Sequence, residues 1–508
     1  MILLLLLALA ARLALAAQDF VVAPDGATYL DLARRFAAGD WRNGFHPQWS
    51  PFYPFVAGLV ARFTGDVELA GKLVSVFAGV GLVALLYRFY RQCYDAETAF
   101  VGAVGAAFFV HLLNYSAQAM TESLYLLLLV ASLHAGWRAL RENSLKYCCL
   151  TGILLGLSYL TRPEAFGYFW LFAVLALTGK FSAQPAAHKR NAQCAIALLV
   201  GALLCAGPYI WFIHHAAGVW TISLKLQANL LGGHIGTGQA TRETAVQGWA
   251  AWLALSCRTA LYNLKLQHVS LAYIFPPLLW PWLGLGLFGR SWTRERTQRE
   301  IYLTLFLLAT VAGYSITVVE ARYLLPLAPV LLGWLAHGLV NFRDWLAAQL
   351  PFNGRLRGLL TARPLLLPVL CALALSFYLA PALALFTDAQ AGNDAWLPRG
   401  AEFQQAGRWI KQQQGAGRRI ISTDLRVPFY AEGERIQLPP KTTPEGLTAL
   451  IAQERADFVV LTGRDIKETP ELAQFLNEGM NPSGCAQVWQ FAPPGGYKAI
   501  VWRVLRDY

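Results

Sequence analysis

The chain has 508 residues, of which 56% are apolar and only 14% are charged, and its formal net charge is +12. Soluble globular proteins are about 45–50% apolar and about 25% charged, which excludes an ordinary soluble enzyme and a disordered chain. Residues 387–508 carry 14 basic and 14 acidic side chains, so the whole basic excess lies in the first 386 residues. A basic excess between apolar runs is typical of membrane topology, and no motif predicts a nucleic-acid partner.

Apolar runs dominate the first 386 residues. A helix needs about 20 such residues to cross the hydrocarbon core of a bilayer, and the runs predict an α-helical polytopic membrane protein of about 11 spans. Run 1–17 ends in Ala14-Leu15-Ala16, which resembles a cleavage site, but no basic segment precedes it, so we favour an uncleaved anchor. The eleven runs are 1–17, 69–87, 98–113, 121–137, 147–160, 165–179, 191–214, 269–289, 301–318, 324–340 and 364–386.

The basic residues predict an orientation. With a cytoplasmic N-terminus, the inside loops hold sixteen of the 28 Lys and Arg residues that precede residue 387. The short outside turns hold only Arg162 and Arg322. An odd number of spans places residues 387–508 outside, which in a bacterium is the periplasmic side of the inner membrane.

Two loops on the predicted outer side are long, 18–68 and 215–268. The first contains an amphipathic stretch over 28–36. The second contains a glycine-rich segment, 232–238, that lacks the strand and lysine of a phosphate-binding P-loop. A flexible loop and a mobile lid over a site both remain open for this segment.

Residues 387–508 alternate helix and strand patterns, which predicts a small α/β domain. The domain boundary is therefore predicted at 386/387, with 1–386 as the transmembrane domain. None of the eight cysteines forms a C-x-x-C motif, so neither a disulfide framework nor a zinc site is implied. Helices are predicted over 401–413 and 444–455, and strands over 419–423, 456–461 and 498–504.

Ionisable side chains at the predicted outer ends of the spans are candidates for a functional site, because such groups are costly at a bilayer edge. Four segments of the chain contribute them to one side of the membrane. One of them, His46, could also be a packed loop histidine. The candidates are Asp25, His46, Glu122, Arg162, Glu164, Glu320 and Arg322.

The other candidates also have structural explanations. Asp25 and Glu122 could begin helices, where the dipole favours an acid. Arg162 and Glu164 could form a turn pair, and Arg322 could reach lipid headgroups. The functional interpretation rests on the set rather than on any one residue.

All of these candidates except His46 lie in short motifs that follow one another along residues 1–340. The motifs are Pro24-Asp25-x-x-x-Tyr29, Gly39-Asp40-Trp41, Ser50-Pro51-Phe52-Tyr53-Pro54, Thr121-Glu122-Ser123-Leu124-Tyr125, Thr161-Arg162-Pro163-Glu164 and Glu320-Ala321-Arg322-Tyr323-Leu324-Leu325-Pro326. Their order resembles the GT-C glycosyltransferases that use polyprenyl-phosphate sugars. This family includes the protein O-mannosyltransferases, the lipid A aminoarabinose transferase and the Rgt-type lipopolysaccharide sugar transferases.

The first motif departs from the family pattern. Many relatives have Asp-Glu where this chain has Asp25-Gly26. If the second acid binds a metal or the acceptor in the family, another residue must do so here. Glu122 could take that place.

The resemblance implies transfer of a sugar from a polyprenyl phosphate to a lipid, glycan or protein acceptor outside the membrane. The phosphate leaving group needs charge stabilisation, which Arg162 and Arg322 could supply with Tyr323 beside them. Asp25 is the candidate base, and one carboxylate opposite a departing phosphate suits inversion. No cofactor is demanded, although a divalent metal on Asp25 or His46 would fit this chemistry. Further site candidates are Tyr29, His46, Glu122, Glu164 and Glu320.

Two other functions remain open. A transporter or flippase of a lipid-linked substrate would place charges near mid-span or show inverted repeats. Few mid-span charges and no clear repeat are present. A catalytically inactive membrane scaffold is the second alternative, because the second acid of the first motif is missing.

Overall fold

The computed structural model describes residues 1–18, 21–183, 188–225, 249–350, 354–375, 400–467, 469–493 and 497–505. The chain forms two compact units. One contains Met1–Leu15 and Leu32–Ala380, and the other contains Ala16–Asp31 and Pro381–Tyr508. The predicted fold class, an α-helical membrane protein with a small C-terminal α/β domain, is confirmed. The predicted boundary at 386/387 and the glycine-rich segment 232–238 lie outside the described residues.

In the described residues up to Leu375, all regular structure is helical. The predicted outer loops contain helices as well: Pro24–Ala37, Trp41–Gly44 and Phe52–Thr64 lie in loop 18–68, and Trp249–Ile274 begins in loop 215–268. The α-helices are Ile2–Ala16, Pro24–Ala37, Trp41–Gly44, Phe52–Thr64, Val67–Cys93, Ala96–Phe108, Val110–Ser116, Glu122–Glu142, Leu145–Thr161, Phe166–Thr178, His188–Ala217, Trp249–Ile274, Trp280–Phe288, Arg294–Ser315, Ala328–Gln349, Arg355–Ala362 and Leu366–Leu375.

Four helical segments in the described ranges are long and apolar enough to cross a membrane, or seven if each of three bent pairs is one span. The predicted run 269–289 is one of the bent cases, because Pro276 and Pro277 interrupt the helix and lack a backbone N–H. Runs 98–113 and 364–386 overlap the other two bent pairs, and the remaining runs correspond to shorter or more polar helices. The count of eleven spans therefore stays a prediction. The four segments are Val67–Cys93, Glu122–Glu142, His188–Ala217 and Ala321–Gln349.

The first helix is packed into its unit through a buried arginine. Arg12 is 1% exposed, and its Nη1 atom donates hydrogen bonds to the carbonyls of Ala8 (3.1 Å) and Ala107 (3.0 Å). Ala107 lies where helix Ala96–Phe108 ends at a 55° bend, so its carbonyl is one that the bend leaves without a helical partner. Arg12 therefore supplies a hydrogen bond that the broken helix needs.

Arg296 is one of the sixteen Lys and Arg residues in the predicted inside loops, and it also has a structural role. It is buried, and its guanidinium donates to the carbonyls of Gly286 (3.1 Å) and Leu287 (2.7 Å) near the end of helix Trp280–Phe288. Lys and Arg side chains near a helix C-terminus satisfy free carbonyls in this way. Arg296 therefore stabilises a helix end rather than facing lipid headgroups.

The C-terminal domain is a five-stranded sheet of order β2-β1-β3-β5-β4. β1 pairs in parallel with β2 and β3, whereas β5 pairs antiparallel with β3 and β4. The strands are β1 Arg419–Ser422, β2 Glu434–Gln437, β3 Phe458–Thr462, β4 Cys485–Phe491 and β5 Ala499–Val504. Its α-helices are Ala401–Gln414, Arg426–Ala431, Pro444–Glu454 and Ala473–Asn477.

Successive side chains of the central strands enter different cores. Ile420 packs in a cluster with Phe403 and Val427, whereas Ile421 packs in a second cluster with Leu447. This alternation follows the two-residue period of a strand. Helices therefore cover both faces of the sheet.

Candidate functional site

The centre of the candidate site is a buried ion pair between Glu122 and Arg162. Glu122 is the first residue of helix Glu122–Glu142, where the helix dipole favours an acid, and Arg162 follows the last residue of helix Leu145–Thr161. Nη1 of Arg162 lies 3.0 Å from Oε1 of Glu122, and Nη2 lies 3.2 Å from Oε1 of Glu164. The side chains of Arg162 and Glu122 are 10% and 2% exposed. Two carboxylates thus neutralise one buried guanidinium.

Arg322 joins the same network from the short 3₁₀-helix Ala321–Leu327. Its Nη1 atom lies 3.8 Å from Oε1 of Glu122, and its Nε donates to Oε2 of Glu320 at 2.6 Å. The hydroxyl of Tyr323 also donates to Glu320, at 3.4 Å. Arg322 is 19% exposed, so it lies at the accessible edge of the network and Arg162 lies inside it.

Aromatic rings surround the buried guanidinium. The carbon at its centre lies 4.9 Å from the ring centroid of Tyr323 and 5.7 Å from that of Tyr125. Tyr323 stacks on Tyr314 with a centroid separation of 5.5 Å. Such rings stabilise a cation at low conformational cost. They restrict Arg162 to one orientation between its two carboxylates.

A pocket opens beside the network, between helices Phe166–Thr178 and Arg294–Ser315. It encloses about 710 Å³ including its open side. Glu164 and Tyr314 connect it to the network, while much of its wall is apolar. Its apolar lining includes Phe166, Gly167, Ile222, Ala309, Gly313 and Ile316.

Asp25 and Tyr29 belong to the unit that contains the C-terminal domain. Asp25 is half-buried in the first turn of helix Pro24–Ala37, and Tyr29 is buried one turn later. Nearby in this unit, the backbone N–H of Val22 donates to the hydroxyl of Tyr430 at 2.9 Å. The first-turn position agrees with the helix-start explanation of Asp25, and its role as a base stays a prediction.

His46 is held by local contacts. Its Nδ1 accepts the backbone N–H of Gln48 at 3.1 Å, and its carbonyl accepts the hydroxyl of Tyr209 at 2.8 Å. Burial and the positive charge of Arg35 lower the pKa of His46. These contacts agree with a packed loop histidine. Over the ranges that the structure describes, no group of three His, Cys, Asp or Glu residues is arranged to hold a metal ion.

The structure thus brings Glu122, Arg162, Glu164, Glu320, Arg322 and Tyr323 together in one network. Sequence reasoning missed the tyrosines at positions 125, 168 and 314, because it considered ionisable residues at span ends. Tyr168, which lines the pocket, exchanges a 2.7 Å hydrogen bond with Thr310. Tyr125 lies in the motif of Glu122, so that motif was the available signal.

Comparison with known proteins identifies related folds. Residues 46–212 match the family model for dolichyl-phosphate-mannose-protein mannosyltransferase, whereas curated proteins give no significant match. The chain is similar in structure to ArnT from Cupriavidus metallidurans bound to undecaprenyl phosphate. That match has a TM-score of 0.62 and 14% identity, and it covers 98% of this chain and 97% of ArnT.

Two further structures are similar. The oligosaccharyltransferase AglB from Archaeoglobus fulgidus, in complex with an inhibitory peptide and a dolichol-phosphate, has a TM-score of 0.52 and 12% identity over 98% of this chain and 73% of AglB. Arabinofuranosyltransferase AftD from Mycobacteria has a TM-score of 0.51 and 15% identity over 99% of this chain and 41% of AftD. The resemblance inferred from the motifs is confirmed. In its fold, the chain is similar to these three glycosyltransferases.

Proposed function

We propose that this protein is a membrane glycosyltransferase that moves a sugar from a polyprenyl phosphate to an acceptor hydroxyl. The observation that carries the proposal is the pair of arginines, Arg162 and Arg322, that face the same oxygen of Glu122 beside a largely apolar pocket. The pocket suits the first isoprenyl units of a lipid, and the arginines suit its phosphate. The undecaprenyl phosphate bound to ArnT supports this class of donor.

Arg322 is the residue that we assign to the donor phosphate. Both arginines contact two carboxylates, but Arg162 is buried inside the network between Glu122 and Glu164. Arg322 is more exposed, and its planar guanidinium matches phosphate oxygens in a fork geometry. In this scheme Arg162 is a positioning residue that holds Glu122, and Tyr323 flanks both arginines.

The reaction would proceed by single displacement. The acceptor oxygen forms a bond to the anomeric carbon while the bond from that carbon to the phosphate oxygen breaks. The acceptor proton passes to Asp25, and Arg322 stabilises the charge that develops on the phosphate. A single displacement with no covalent enzyme intermediate would invert the anomeric configuration.

The reaction is proposed to take place on the periplasmic side of a bacterial inner membrane. The positive-inside distribution of Lys and Arg supports this orientation. A phosphatase fused after Tyr508 should then be active, and one fused near Arg294 should be inactive. Activity of the Arg294 fusion alone would reverse the orientation and move the proposed site to the cytoplasmic side.

Mass spectrometry of surface glycolipids, glycans and glycoproteins from a deletion strain tests the transfer itself. We expect one sugar to be lost from one class of acceptor, and the wild-type gene to restore it. The Arg322→Ala gene should fail to restore the sugar at equal protein abundance. The exposed residue Arg294 offers a matched control, since Arg294→Ala should restore it fully. An unchanged glycan profile in the deletion strain would reject the proposal and favour a transporter or a scaffold.

A further inference from the structure

Besides the pocket at Glu164, the structure has a groove at the far end of helices Val67–Cys93 and Glu122–Glu142, away from Glu122. Helices Val67–Cys93 and Glu122–Glu142 run side by side in parallel: Ser75 Oγ donates to the carbonyl of Met120 at 3.0 Å, and a Cβ on Gly81 would lie 3.5 Å from Leu127. Arg88 follows Ser75 by 13 residues, which is about 20 Å along a helix. This groove is therefore separate from the ion network.

One face of helix Val67–Cys93 forms a wall of the groove. Gly81, Ala84 and Arg88 have the spacing of residues on one helical face, and Arg91 follows one turn later. Met1 and Leu5 of the N-terminal segment and His134 of helix Glu122–Glu142 line other parts of the groove. The groove encloses about 1250 Å³ including its open side.

The groove is apolar at one end and basic at the other. From Gly81 to Arg91 it extends about 15 Å, half of the roughly 30 Å thickness of the hydrocarbon core. Gly81, Ala84 and Leu5 thus lie at the depth of acyl chains when Arg88 and Arg91 lie at the depth of headgroups. The groove has the length of one leaflet.

Among the described residues, Arg88 and Arg91 have no carboxylate partner. Both are exposed, and within the described parts of the chain neither forms an ion pair; Arg91 lies 5.9 Å from the ring centroid of Tyr87. By contrast, Arg138 lies 3.1 Å from Glu142 and Arg141 lies 3.3 Å from Glu295. Two unbalanced positive charges at the end of an apolar groove complement an anionic lipid.

We propose that this groove binds one anionic phospholipid, with its phosphate between Arg88 and Arg91 and an acyl chain along Ala84 and Gly81. Basic pockets between helices at a membrane surface recognise acidic lipid headgroups in this way. The inference is independent of the sugar-transfer reaction, since none of its residues belongs to the network at Glu122.

The test is native mass spectrometry of the purified full-length protein in detergent, titrated with phosphatidylglycerol or with phosphatidylcholine of the same acyl chains. We expect one phosphatidylglycerol to bind in preference to phosphatidylcholine. Arg88→Gln/Arg91→Gln should weaken phosphatidylglycerol binding about 25-fold, since each basic residue near the surface contributes about fivefold. Phosphatidylcholine binding should change little.

A matched control removes two exposed charges outside the groove, Lys146→Gln/Arg294→Gln, and should retain the preference. An equal loss in this control would mean a diffuse surface charge and would overturn the assignment, as would unchanged binding by Arg88→Gln/Arg91→Gln. Ala84→Phe should reduce binding of both lipids at an unchanged Tm. Displacement of the lipid by soluble glycerol phosphate at equal concentration would show an anion site without an acyl groove, which also contradicts the proposal.

Discussion

Oε1 of Glu122 lies 3.0 Å from Nη1 of Arg162, and both side chains are almost completely buried. A buried charge is stable only when it is paired and hydrogen-bonded. The same oxygen is 3.8 Å from Nη1 of Arg322, so one carboxylate links a buried arginine to an accessible one. Glu122 therefore sets the distance between the two positive charges of the candidate site.

Glu122→Gln should destabilise the protein by about 1–3 kcal/mol, because Arg162 would lose one of its two charged acceptors. A double-mutant cycle between Glu122→Gln and Arg162→Gln, measured by thermal unfolding, should give a coupling of about 0.5–3 kcal/mol. The cycle with Arg322→Gln should give a smaller coupling, since that distance is longer. Equal couplings would mean that Glu122 pairs with both arginines alike.

Arg322→Ala should lower the transfer rate by roughly tenfold to a hundredfold, the loss expected from a hydrogen bond to a charged group. Arg322→Lys keeps the charge but lacks the planar fork, so it should lose much of the same activity. Transfer assays with purified protein measure both. Full activity of both variants would leave Arg322 as a headgroup contact.

Asp25→Asn should lower turnover by about 10²–10⁴-fold if Asp25 is the base, with donor binding nearly unchanged. As a helix-start residue alone, Asp25 would contribute at most about 1 kcal/mol of stability and little to turnover. These explanations are separated by measuring wild-type and Asp25→Asn protein for thermal stability, donor binding and transfer rate. Turnover within a few-fold of wild type would remove Asp25 from the mechanism.

Gly201→Ala should destabilise the membrane unit by about 1–3 kcal/mol, because helices Leu145–Thr161 and His188–Ala217 meet there backbone to backbone. A Cβ on Gly201 would lie 2.3 Å from the carbonyl oxygen of Cys149. Gly207 is the control in the same helix, since a Cβ there would have no neighbour within 4 Å among the described atoms. In detergent, Gly201→Ala should have a clearly lower Tm than Gly207→Ala.

Asp465 should make the stability of the C-terminal domain depend on pH. Burial raises the pKa of Asp465 to about 6, although the Thr462 N–H donates to its carboxylate at 2.6 Å. The folded state therefore holds a proton that the unfolded state releases near pH 4. The contribution of Asp465 to the free energy of unfolding is greatest below about pH 4, and up to about 3 kcal/mol of it is lost as the pH rises through 6.

Thermal unfolding at pH 5 and pH 7.5 measures this effect in the full chain. The difference in Tm between these two pH values should be smaller in Asp465→Asn, because the asparagine side chain cannot ionise. It should persist in Glu445→Gln, because Glu445 is exposed in the same domain. An equal pH dependence in all three proteins would assign the effect to other groups.

The sequence predicted the centre of the C-terminal sheet but not its edges. β1, β3 and β5 are buried on both faces, so each appears as an apolar run. β2 is Glu434-Arg435-Ile436-Gln437, an edge strand whose charged residues hide it from a search for apolar patterns. β4, the other edge, was missed for the related reason that most of its side chains are not buried.

The membrane character and the order of the motifs were determined by the sequence itself, because transfer to lipid depends on composition and run length alone. The sequence could also identify Glu122, Arg162 and Arg322 as candidates, since ionisable groups are costly at a bilayer edge. Which of them pair was decided only by tertiary structure. Residues 122, 162 and 322 come from three segments far apart in the chain. How the helices pack decides that Glu122 lies 3.0 Å from Arg162 but 3.8 Å from Arg322. The same holds for Arg12 and Arg296: their charge is visible in the sequence, but the carbonyls that they satisfy belong to helix ends that only the fold brings to them.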